Sequence, residues 1–154
     1  GGFMDGVYGY VVPNYNGAHL GKVARFNLTS FDAVEILDLT LTDPDLKGFI
    51  GGFMDGVYGY VVPYNNGALF GKVARFNLDS FDAVEILDLT LTDTDLKGFS
   101  GGFTDGVYGY VVPIQQRRFD YNGDYFGKVA FGKVARFNLS SFDAVEILDL
   151  TLTL

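Results

Sequence analysis

The chain is built from copies of itself. Residues 1–50 and 51–100 differ only at Asn14/Tyr64, Tyr15/Asn65, His19/Leu69, Leu20/Phe70, Thr29/Asp79, Pro44/Thr94 and Ile50/Ser100. A third unit opens at Gly101 with GGFTDGVYGYVVP and resumes at Gly132 with GKVARFNLSSFDAVEILDLTLT. Between those two stretches lies an enlarged loop, 114–131, in which FGKVA stands directly before its own copy, as in a slipped duplication. Extra residues in a loop add little closure entropy, so the insertion is tolerated there. Tandem units of about fifty residues are the mark of a stacked-repeat architecture, in which each unit buries its apolar surface against its neighbours. The chain therefore divides into repeat 1 (1–50), repeat 2 (51–100) and repeat 3 (101–154).

Within repeat 2, turn signals separate four strand-like runs. The first crosses the repeat junction, Gly48 to Asp55, and is rich in glycine. Asp55-Gly56 turns the chain into Val57 to Pro63, and Asn66-Gly67 turns it again into Gly71 to Leu78. Asp79-Ser80 leads into the fourth run, Ala83 to Leu91. Apolar residues follow no helical period over a useful length. On the fourth run Ala83, Glu85, Leu87 and Leu89 share one face, and Val84, Ile86, Asp88 and Thr90 the other. On the third, Ala74, Phe76 and Leu78 oppose Val73, Arg75 and Asn77. Both faces of such a sheet are largely apolar, so both need cover. Stacked blades supply it, and an innermost glycine-rich strand suits the crowding near a common axis. The expectation is an all-β fold of tandem four-stranded antiparallel blades, β-propeller-like, with an open stacked-repeat fibre as the alternative.

The order of these motifs resembles the YVTN-type propeller repeats of the quinoprotein amine dehydrogenase-like superfamily. Asp55-Gly56, Tyr58 to Val62, Asn66-Gly67, Gly71 to Asn77 and Val84 to Leu89 occupy the places of that repeat's turns and strands, and the resemblance covers all three units. The resemblance implies the fold and no activity. Closed propellers typically have four to eight blades, so three leave both outer faces uncovered. Further repeats, a dimer of six blades, or a linear fibre each solve this.

Composition fits. The chain is 48% hydrophobic, 16% aromatic and 19% charged, with 21 glycines, which is a globular β-rich balance and not a disordered one. Its net charge of −8 repels phosphate backbones and anionic lipid, and no apolar run approaches a membrane span, so neither nucleic acid nor membrane insertion is expected. Without cysteine there are no disulfides or thiolate metal sites. The chain starts at Gly1 with no signal-peptide pattern, and reads as a processed chain or part of a longer one.

Candidate residues point to binding and assembly, with no catalytic site and no cofactor. No nucleophile–base pattern, phosphate loop or zinc spacing is present. The single histidine, His19, sits in a turn-rich loop as a surface residue. Acidic residues recur at Asp5/Asp55/Asp105, Asp32/Asp82/Asp143, Glu35/Glu85/Glu146 and Asp38/Asp88/Asp149, where turn-making and blade packing explain them better than catalysis, which needs one asymmetric constellation. Asp43 and Asp45, with Asp93 and Asp95, form D-x-D pairs between units; their oxygens suit Ca²⁺, but loop capping accounts for them more simply. Lys22/Lys72/Lys133 and Arg25/Arg75/Arg136 face the acidic fourth strand as cross-strand partners. Asn27 and Asn138 open N-glycosylation acceptor patterns that Asn77 lacks, which favours an extracellular or cell-surface location. Loop residues Tyr15, Asn16, Tyr64, Asn66, Tyr121, Asn122 and Tyr125 are candidates for stacking on sugars. The first expectation is a non-catalytic extracellular structural module that self-associates into a closed propeller or a filament, its partner being itself. A multivalent lectin-like propeller that binds glycans is the alternative.

Overall fold

The computed structural model describes residues 1–150 apart from 115, 120, 121, 124, 130 and 131, with the backbone alone for 116–119 and 125–129. Unit 1 is a four-stranded sheet of β1 (Gly2–Met4), β2 (Tyr8–Val11), β3 (Lys22–Asn27) and β4 (Asp32–Asp38). Unit 2 repeats it with β5 (Phe49–Met54), β6 (Tyr58–Pro63), β7 (Lys72–Asn77) and β8 (Asp82–Asp88). Unit 3 holds β9 (Phe99–Thr104), β10 (Tyr108–Pro113), the inserted hairpin β11 (Gln116–Phe119) and β12 (Tyr125–Val129), then β13 (Lys133–Asn138) and β14 (Asp143–Asp149). Each four-stranded sheet is an antiparallel meander in sequence order, and among the described residues the insertion's two strands pair with each other. The fold is thus all-β, three blade-like sheets in tandem with no closed barrel. No helix among the described residues is long and apolar enough to cross a membrane.

Each first turn is tied by its aspartate. The Asp55 carboxylate accepts the N–H groups of Val57 and Tyr58 at 2.9 and 2.7 Å, and the Tyr60 hydroxyl donates to it at 2.7 Å. Asp5 and Asp105 repeat the arrangement, so these recurring carboxylates hold a turn and orient a tyrosine. The fourth strand is shorter than the run Ala83 to Leu91 suggests. It stops at Asp88, whose side chain accepts from the Thr90 N–H and hydroxyl and caps a 3₁₀ turn over Leu89–Leu91. A capping aspartate offers the backbone a local partner that competes with the sheet ladder. The turn carries Leu89 into the core.

The units pack face to face, with their first strands adjacent, β1 beside β5 and β5 beside β9. That adjacency is what the glycines permit. A Cβ at Gly1 would stand 3.1 Å from the Ile50 carbonyl oxygen and 3.2 Å from the Gly51 Cα, and one at Gly102 would stand 2.9 Å from the Phe53 ring. Two apolar clusters result. One joins Tyr10, Val12 and Val23 of unit 1 to Val61, Ala74, Phe76 and Phe81 of unit 2. The other joins Tyr60, Val62 and Val73 of unit 2 to Val111, Ala135, Phe137 and Phe142 of unit 3. Both sheet faces of unit 2 are therefore covered, as the pattern of its third run requires.

Candidate functional site

The candidate site is the junction between units, present twice inside the chain and left half-made at each end. Its centre is an arginine on the third strand. Arg25 Nη1 donates to the Leu78 carbonyl of unit 2 at 2.8 Å, and Nη2 pairs with Glu35 at 3.0 Å. The guanidinium lies between the Tyr8 ring of its own sheet and the Phe81 ring of the next, at 4.2 and 4.4 Å. Arg75 does the same one unit later, donating to the Leu139 carbonyl at 2.9 Å, pairing with Glu85 at 3.0 Å, and lying between Tyr58 and Phe142 at 4.0 and 4.3 Å. Burial opposes the charge on both arginines, but hydrogen bonds to the tyrosine hydroxyl and the glutamate outweigh it and raise both pKa values. Burial also pushes the Tyr10 hydroxyl up to about 12, with the Asp5 carboxylate beside it acting in the same direction.

The residue that each arginine receives has unusual backbone geometry. Phe31, Phe81 and Phe142 all adopt positive φ, at 53°, 51° and 50°. That conformation is costly for a bulky L-residue. For Phe81 and Phe142 burial compensates, since each is only 7% exposed and packs edge-on against the preceding unit's tyrosine. Phe31, in the same local sequence, is 80% exposed. Around it, Met4, Val11, Leu28, Val34 and Ile36 are exposed too, whereas their counterparts in unit 2 are buried or half-buried against unit 1. At the other end Phe103 and Leu148 are exposed, and Arg136 keeps Tyr108 at 4.0 Å and Glu146 at 3.0 Å. The outer faces of units 1 and 3 thus expose the counterparts of the two surfaces that meet at each internal junction.

The lysines do not pair across the strand as expected. Asp88 stands opposite Lys72 in register, but its carboxylate is spent on the 3₁₀ cap. Lys72 instead reaches back to Asp43 and Asp45 in the preceding link, at 2.8 and 3.0 Å, and Lys133 holds Asp93 and Asp95 at 2.7 and 3.0 Å. The D-x-D pairs therefore clamp the next unit's lysine. Among the described residues no group of three or more His, Cys, Asp and Glu side chains could hold a metal ion. The lysine ammonium and the Asp45 N–H pull the Asp43 carboxyl below its ordinary 3.8, and Asp93 is lowered in the same way by Lys133. Asp5 is also lowered: burial pushes it up, but the N–H groups of Tyr8 and Val7 outweigh that. A carboxylate with a depressed folded pKa stabilises the fold above its unfolded pKa and loses that contribution as pH falls through the folded one. Melting temperature is accordingly expected to fall as pH drops from about 5 to 2, and Asp43→Asn with Asp93→Asn to flatten part of that decline. An unchanged slope in the double variant would disprove the clamp's contribution.

The sugar-stacking candidates do not form one repeated site. Tyr15 and Tyr64 are not equivalent: Tyr15 bridges His19 where unit 2 has Asn65 bridging Leu69, and Tyr64 stands where unit 1 has Asn14. The Tyr15 and His19 rings meet edge-on at 5.2 Å. Asn16 is exposed, while Asn66 Nδ2 donates to the Asp45 carbonyl at 3.0 Å. Asn122 lies exposed in the turn between β11 and β12; Tyr121 and the side chain of Tyr125 fall outside the described residues. Asn27 and Asn138 each close the hairpin into the fourth strand, accepting backbone N–H groups through Oδ1. Asn77, which has no acceptor pattern, does the same, so the turn itself calls for asparagine there. The arginine is the residue whose role the sequence pattern understated; its signal is a cation on the Val73 face, flanked in sequence by the apolar Ala74 and Phe76.

Fold and junction define a tandem β-blade repeat protein. No family model, no curated protein and no solved structure matches the chain.

Proposed function

We propose that this chain is a non-catalytic structural module whose activity is assembly with copies of itself, as a closed propeller or a filament, outside the cell. The observation that carries this reading is the pair of complementary end faces, each apolar, each the counterpart of a surface buried between the chain's own units. Contiguous exposed apolar surface of this kind marks an interaction site. A face of unit 3 that has just received nothing, and a face of unit 1 that has nothing to enter, form a head-to-tail contact. The acceptor patterns at Asn27 and Asn138, whose Thr29 and Ser140 are exposed, support the extracellular placement.

Light scattering across about 1–100 µM, a range that brackets a contact of micromolar affinity, is expected to give a mass above the 16.9 kDa of one chain. Raised salt should leave it largely in place, because the contact is mainly apolar. A single-chain mass throughout that range would end the proposal.

A further inference from the structure

Beyond self-association in general, and resting on that reading, the geometry points to one particular seat. A cleft of about 320 Å³ on unit 3 is lined by Tyr110, Val134, Arg136, Glu146, Ile147 and Leu148. In unit 1 the equivalent residues facing unit 2 are Tyr10, Val23, Arg25, Glu35 and Leu37, and there Phe81 of unit 2 lies against Tyr10 and under Arg25. In unit 2 it is Phe142 that lies against Tyr60 and under Arg75. The occupant of the third cleft is the Asn27–Asp32 hairpin of a second copy. Its Phe31 ring seats against Tyr110 and the Arg136 guanidinium, and its Leu28 carbonyl accepts from Arg136, as Leu78 and Leu139 accept from Arg25 and Arg75. The cross-unit contact is thus continuous with one that the chain makes twice within itself. Phe31 also keeps the positive φ of its two buried counterparts.

The first strands of successive units lie side by side, so the units fan about that edge. Copies of this 154-residue stretch carry three units each, so a ring made of them alone holds a multiple of three blades, and within the usual range of about four to eight only six qualifies. Two copies therefore close the ring, each supplying one cleft and one hairpin.

Sedimentation equilibrium of the 154-residue chain tests this with three variants. Phe31→Asp alters the hairpin, and its φ suits aspartate. Leu148→Lys alters the cleft at a residue that is 59% exposed. Leu41→Ser is the control: Leu41 is exposed, and its counterpart Leu91 stays exposed beside an internal junction. The expected result is a mass that rises with concentration to twice 16.9 kDa and no further. Phe31→Asp and Leu148→Lys should each weaken association at least about thirty-fold, while Leu41→Ser leaves it unchanged. Circular dichroism matching the parent establishes that each variant is folded. A mass that climbs past two chains overturns the ring and leaves self-association standing. A two-chain mass that survives both Phe31→Asp and Leu148→Lys overturns the seat. A single-chain parent defeats both readings together.

Discussion

Replacement of Arg75 by alanine is expected to destabilise the chain by about 3 kcal/mol, the cost of opening a buried, hydrogen-bonded ionic contact from one side. Three losses coincide. The Leu139 carbonyl, inside the junction, is left without its donor. Glu85 loses its cation, though it is half-exposed and water recovers part of that. The space between the Tyr58 and Phe142 rings empties. Arg25→Ala should behave alike at the first junction, through the Leu78 carbonyl and Phe81. Arg136→Ala removes the same side chain from the same local sequence, yet no second unit covers it. In dilute solution its unfolding midpoint should stay close to the parent's. Urea midpoints at about 1 µM protein, below the range where a micromolar contact fills, read the contrast, with unchanged slopes showing that only stability moved. Arg75→Lys should fall between, since lysine keeps the charge and loses the planar fork that reaches carbonyl and carboxylate together. Equal shifts at Arg75 and Arg136 would mean that the cross-unit bond contributes nothing.

That contrast also shows what a sequence of this kind discloses. The blade itself is local: Asp-Gly and Asn-Gly turns, alternating third and fourth runs, and glycine in the first strand each speak for a four-stranded meander without reference to another unit. The need for cover on both faces is legible as well, because Val73 and Ala74, on opposite faces, are both apolar and both buried. The partners are not legible. Lys72 faces Asp88 across the ladder, and only the fold shows that Asp88 caps Thr90 while Asp43, 29 residues away, takes the ammonium. Arg75 reads as one more cross-strand charge until unit 3 places the Leu139 carbonyl above it. The aligned loops mislead in a different way. Tyr15 and Tyr64 look like copies by composition, but one position separates them, and a single step in register turns a side chain from one side of a strand to the other. What is decided within about ten residues is readable; what is decided across the junction is not.

The same reasoning makes the three hairpin phenylalanines a built-in comparison. Phe31, Phe81 and Phe142 share their backbone conformation within a few degrees, so the cost of positive φ cancels between them. Phe81→Ala is expected to lose about 3 kcal/mol, as buried Phe→Ala changes do, because the ring packs against Tyr10 at 6.0 Å and Phe76 at 5.6 Å and lies under Arg25. Phe142→Ala should lose a similar amount through Tyr60, Phe137 and Arg75. Phe31→Ala, whose ring meets only Phe26 at 5.5 Å among the described rings, should change the stability of a dilute sample by no more than about 0.5 kcal/mol. The excess of the first two losses over that of Phe31→Ala measures what the preceding unit adds by covering the hairpin, with the strain cancelled. Raising the protein concentration then moves Phe31 into the same class: the parent gains stability by mass action as its end faces meet, and Phe31→Ala does not. Thermal melts of the four proteins at about 1 and 100 µM, spanning the two regimes of a micromolar contact, separate the two effects. If Phe31→Ala matches Phe81→Ala in dilute solution, Phe31 is buried within a single chain and the end face is not open; if the parent's melt ignores concentration, nothing comes to cover it.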